Sequence, residues 1–161
     1  MFDPTTLVGI HTIVSLISLA LGLGVIAELL SAHAGKIVTS LFLATAVFTS
    51  VTGFLFPIHG PTPALIVGVI ALIVLALVFV AQAKGWRKTY AATLVISAYF
   101  LAFVTVAQSF AKIPALKAMA PTQSEPPFAI AQGVLLIAFI AAGFLATRAY
   151  GRGPAADAVA A

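Results

Sequence analysis

Five apolar runs, each about as long as a bilayer's hydrocarbon core is thick, constrain this chain more than any other feature. Crossing that core takes ~20 residues at a rise of about 1.5 Å each. The runs cover approximately residues 7–31, 37–56, 64–83, 89–111 and 128–150, and they stop at Gly, Pro, His or clustered charge. Lipid offers no hydrogen-bonding partner, so each run must pair its own N–H and C=O groups, which requires helix. The predicted fold is an all-α, polytopic transmembrane bundle of five spans. It forms one domain over residues 1–150, followed by a short disordered tail over 151–161. A four-span bundle would require one of the five runs not to cross.

Composition bears on what the surface faces. A soluble domain carries about one quarter charged residues, whereas this chain has 7% and a mean hydropathy of +1.19. Most of its surface must therefore meet lipid. A cleaved leader is not expected, because Met1-Phe2-Asp3-Pro4 lacks a basic segment and the following run exceeds a signal core. The chain has no cysteine, which removes thiolate chemistry, disulfides and iron–sulfur ligation.

Charge placement sets the expected orientation. Lys36, Lys84, Arg87, Lys88, Arg148 and Arg152 fall at one end of a five-span bundle, and Lys112 and Lys117 at the other. Cytoplasmic loops are enriched in Lys and Arg, so the expectation is N-terminus out and C-terminus in, in a bacterial inner membrane. Trp86, Tyr90 and Tyr150 sit at the same basic end, as interfacial aromatic rings tend to. The sparse basic residues act as topology signals, and no nucleic-acid partner is expected.

Polar residues sorted by depth give the one functional clue. His11, Gln108 and Gln132 each lie about one turn inside the outer end of their helix, so three spans carry polar groups at a similar level. Strongly polar side chains within a span are costly and tend to be functional. His11, Ser15, Ser18 and Gly22 share one helical face, as do Thr45, Thr49 and Thr52. Thr93, Ser97, Thr105, Gln108 and Lys112 share a face of the fourth span. The competing reading is structural, since Ser, Thr and Gln commonly bond helix carbonyls or bridge helices. Small residues such as Gly22, Gly24, Gly53, Gly133, Ala142, Gly143 and Ala146 suit close helix approach. Glu28, near the inner end of the first span, is read as interfacial or paired with Lys36 or Lys84.

Beyond the spans, the connection from Lys112 to Pro127 is the longest in the chain. Its length, with Pro121, Pro126 and Pro127 in residues 120–128, predicts an ordered segment. The expectation is that Gln123, Ser124 and Glu125 fold over His11, Gln108 and Gln132, with Glu125 near Lys112 or His11.

Hydrolase, kinase and thiol signatures are missing, and an enzymatic role is not indicated. Asp3, His11, His59 and Glu125 lack metal-ligand spacing, and His11 with His59 is the nearest approach to a metal or haem pair. The function read from these residues is an outward-facing pocket for a small amphipathic ligand, quinone-like or lipid, in support of membrane electron transfer. Its site is His11, Lys112, Gln108, Gln123, Ser124, Glu125 and Gln132. The alternative is an accessory or scaffold subunit without a ligand, seated on a membrane-protein partner or on a second copy of itself. A small transporter or a b-type haem protein ranks below both.

Overall fold

The computed structural model describes residues 5–56 and 63–152. Asp3, His59 and the tail from residue 153 lie outside the described residues. Every regular element among the described residues is helical: α1 (Leu7–Leu30), α2 (Lys36–Gly53), α3 (Pro63–Ala83), α4 (Arg87–Lys112), α5 (Pro114–Met119) and α6 (Pro126–Tyr150). Five of these are long and apolar enough to cross a membrane. The chain is thus read as an integral membrane helix bundle.

Local chemistry explains the helix ends. Thr6 caps α1, its hydroxyl accepting from Gly9 N–H at 3.1 Å. The α3–α4 turn is a Schellman motif, with Trp86 N–H donating to Ala81 O at 2.9 Å and Gly85 N–H to Gln82 O at 3.1 Å. Gly85 supplies the left-handed residue at φ +67°. The same motif ends α1, where His33 N–H donates to Glu28 O at 2.9 Å and Ala32 N–H to Leu29 O at 3.0 Å. There the left-handed residue is Ala32, at φ 58°.

The Glu28 carboxylate then accepts from Gly35 N–H at 2.8 Å, tying the end of α1 to the start of α2. This bond, rather than an ion pair with Lys36 or Lys84, is what the structure gives that carboxylate. The connection from 113 to 125 is not all loop, because Pro114 opens the short helix α5.

Helices α1, α2, α3 and α4 pack in sequence, and α4 returns against α1 to close a four-helix ring. α6 lies outside that ring, against α4 and α1. Gly22 permits the tightest approach: a Cβ there would stand 2.8 Å from Phe42 Cε2 and 3.0 Å from Ala98 Cβ. Gly133, by contrast, faces nothing within 4 Å.

The packed core occupies the basic end of the ring. It contains Val25 and Leu29 of α1, Phe42 of α2, Val78 of α3 and Leu94 of α4, all fully buried. Arg87 closes this end by donating from Nε and Nη2 to Tyr150 O at 3.1 and 2.7 Å, with its guanidinium 4.0 Å from the Tyr150 ring centre. Both N–H donors of one fork meet a carbonyl left over at the end of α6.

Candidate functional site

The opposite half of the ring is hollow. A cavity of about 610 Å³ lies among α1–α4, walled chiefly by apolar side chains such as Leu16, Phe54, Leu75, Phe100 and Val104. His11, Gln108 and Lys112 line it, as do Thr49, Ser97 and Thr105.

His11 is held on two sides. Its Nδ1 lies 2.9 Å from Thr52 Oγ1, and its ring meets Phe56 edge-on at 5.0 Å between centres. Thr52 directs its single hydroxyl proton to Phe48 O at 2.8 Å. In the neutral imidazole this assigns the proton to Nδ1, which donates to Thr52 Oγ1. Nε2 is then an acceptor, and it has no hydrogen-bond partner among the described residues.

Most hydroxyls of the polar faces are spent locally. Thr12, Ser15, Thr45, Thr105 and Ser109 each donate to the carbonyl four residues earlier, at 2.6–2.8 Å. Thr49 does not: its Oγ1 is buried in the cavity wall without a partner among the described residues. Ser18 and Thr39 share this condition elsewhere in the bundle.

The structure gathers His11, Gln108 and Lys112 at one cavity and sends the other sequence-derived candidates elsewhere. Gln132 lies at the α4–α6 seam, where Nε2 donates to Phe103 O at 3.1 Å. Its Oε1 is buried without a partner among the described residues. Gln123, in the left-handed conformation at φ 59°, donates from Nε2 to Ala107 O at 2.8 Å.

Glu125 accepts from the hydroxyl and N–H of Thr122 at 2.9 and 3.1 Å and from Ser124 N–H at 3.1 Å. Its oxygens fold the loop onto itself instead of reaching Lys112 or His11. Desolvation opposes ionisation, but these hydrogen bonds together outweigh it and hold the Glu125 carboxyl below its ordinary range. The Ser124 hydroxyl meets that of Thr122 at 2.8 Å. None of residues 120–128 lines the cavity. The segment instead meets α4, through Gln123 at Ala107 O, beside the edge-to-face contact of Phe110 and Phe128 at 5.4 Å that joins α4 to α6.

The sequence faces did not single out Thr52 and Phe56 as partners of His11, nor Thr49 as a free hydroxyl. The α2 threonine stripe was visible, but its pairing with His11 depends on how α1 and α2 register. No group of three His, Asp or Glu side chains comes together among the described residues. His59, the partner of His11 in the pair read as the nearest approach to a metal or haem site, lies outside the described residues.

The chain matches no protein-family model, no curated protein and no solved structure. The functional reading therefore rests on the cavity itself.

Proposed function

We propose that the α1–α4 cavity binds a small amphipathic ligand, quinone-like or lipid, by its polar head. The observation that carries this reading is an apolar chamber in which His11 Nε2 and Thr49 Oγ1 have no protein partner among the described residues. A polar group left unpaired in an apolar interior costs about 1–3 kcal/mol. A ligand that pairs with Thr49 recovers that cost, and His11 Nε2, which is not fully buried, offers an acceptor on the same cavity. The volume of about 610 Å³ falls within the usual range for ligand sites.

The donor and acceptor pattern favours a quinol. One hydroxyl donates to His11 Nε2, while the other oxygen accepts from the Lys112 ammonium or the Gln108 amide. Phe100 and Phe54 provide the apolar slot for the ring or tail. The chain's part is to hold and orient the head group, and electron transfer would require a second protein.

We place this cavity on the outer side of a bacterial inner membrane, because six of the eight Lys and Arg residues lie at the other end. Reporter fusions at Gly85 and Ser124 should report inside and outside respectively, and the reverse pattern would reject that placement.

The decisive experiment titrates detergent-solubilised protein with a short-chain ubiquinol analogue and identifies co-purifying lipids and quinones by mass spectrometry. Saturable binding is expected, weakened about tenfold by His11→Phe, which corresponds to one lost hydrogen bond. Thr49→Val should weaken it less. The absence of both saturable binding and a co-purifying amphiphile would reject the pocket and leave the accessory-subunit reading.

A further inference from the structure

A second hollow, about 980 Å³, opens at the basic end between α2 and α3 and reaches the start of α4. It is separate from the His11 cavity and differs from it in chemistry. Lys36, Lys84 and Arg87 converge on it, with Thr39, Ser40 and Gln82 between them. One edge is the N-terminus of α4, whose cap residue Trp86 makes no side-chain capping bond, whereas the N-terminus of α2 is already met by the Glu28 carboxylate at Gly35 N–H. The positive end of α4 thus adds to three cationic side chains.

Of the two acids among the described residues, neither forms an ion pair with a cationic side chain of this cluster. Glu28 is turned onto Gly35 N–H, and Glu125 is bonded within its own loop at the other end of the bundle. An independent sign of a missing partner is Thr39. It is only 4% exposed and lines the hollow, yet its Oγ1 has no hydrogen-bond partner among the described residues. Thr side chains in helices ordinarily donate to the carbonyl four residues back, as Thr93 and Thr45 do here.

We propose that this hollow is a binding site for a phosphate group, contributed by an anionic phospholipid of the adjoining leaflet. The phosphate oxygens accept from Lys36, Lys84, the remaining Arg87 N–H groups and the Thr39 hydroxyl. Val47 and Phe79 continue the wall away from the charges, and Phe79 is 49% exposed, which gives an acyl chain an apolar track beside the head group. A free phosphate would use the same donors but not this track. Basic recesses between helices at the membrane surface are suited to such head groups.

Trp86, the chain's only tryptophan, immediately precedes Arg87 and serves as the probe. Protein reconstituted in phosphatidylcholine vesicles would be given either brominated phosphatidylglycerol or brominated phosphatidylcholine at equal mole fraction. Quenching of Trp86 should show about a thirtyfold preference for the phosphatidylglycerol, in line with two basic residues near a membrane surface.

Lys36→Gln with Lys84→Gln should abolish the preference, while Arg148→Gln, at the same end but outside the hollow, should leave it intact. Thr39→Val keeps every charge and nearly the same shape, and it should reduce the preference several-fold. An unspecific basic surface would not register that change. Saturable stabilisation by inorganic phosphate over matched chloride, without lipid preference, would assign the site to a free anion. A wild-type protein showing neither effect, a preference unchanged by the lysine substitutions, or one that the lysine substitutions remove but Thr39→Val leaves intact, overturns the proposal.

Discussion

The two halves of the four-helix ring are built from similar helices but packed in opposite ways. At the basic end, Val25, Leu29, Phe42, Val78 and Leu94 have essentially no exposure, and Gly22 lets α1 close on Phe42 and Ala98. At the other end the same four helices leave about 610 Å³ unfilled, with His11, Thr49 and Lys112 on the walls. Lipid tails are as apolar as Leu, so helix association here rests on close packing and polar contacts rather than on expulsion of water. The core at the basic end satisfies that condition internally, apart from the Thr39 hydroxyl at the hollow between α2 and α3. The other half leaves His11 Nε2 and Thr49 Oγ1 without protein partners among the described residues, which is why most of the packing stability is assigned to the first and the amphiphile cavity to the second.

The sharpest way to break this division is to shorten one leucine in each half. Leu29→Ala should cost about 2–5 kcal/mol, because the fully buried side chain leaves a new void. Leu16→Ala, which only enlarges an existing cavity and is 51% exposed, should cost less than ~1 kcal/mol. Unfolding in mixed micelles measures both, and equal losses would mean that the two halves do not differ as described.

A smaller contrast adds atoms instead. Gly22→Val should destabilise by about 1–3 kcal/mol, since even its Cβ meets Phe42 and Ala98 too closely. A Cβ on Gly53 meets His11 Cε1 at an ordinary 3.7 Å. Gly53→Ala should therefore be tolerated within about 0.5 kcal/mol, with helix propensity favouring Ala. The same unfolding assay compares the pair, and a Gly22→Val protein as stable as the parent would show that the contact is not tight.

The smallest expected effect concerns the loop beside the open half. The folded Glu125 carboxyl titrates below its ordinary range, so its hold on Thr122 and Ser124 is present at neutral pH. That contribution is lost as pH falls through the lowered value. Amide exchange at Thr122 and Ser124 should therefore show less protection, relative to free-peptide rates, in acid than at pH ~7. Glu125→Gln should remove most of that pH dependence. A protection factor that does not change with pH in the parent protein would show that the carboxylate does not hold this turn.

The sequence by itself determined the number, type and approximate limits of the spans. Twenty-residue apolar runs in lipid have only the helix available to them, and Gly85, Pro114 and Pro126 mark ends by backbone geometry alone. It also marked His11, Gln108 and Lys112, because polar residues within or bordering a span are conspicuous against so apolar a background. Depth, however, is one coordinate, and a site also needs the rotation of each helix and its neighbours. Only the tertiary structure decided that α6 lies outside the ring. That placement puts Gln132 against Phe103 at the α4–α6 seam, while Gln108 lines the cavity. It alone set Thr52 opposite His11 and left Thr49 and Thr39 unpartnered among the described residues. The physical reason is that helical periodicity fixes which residues share a face, whereas the partner of that face is chosen by packing between segments far apart in the chain.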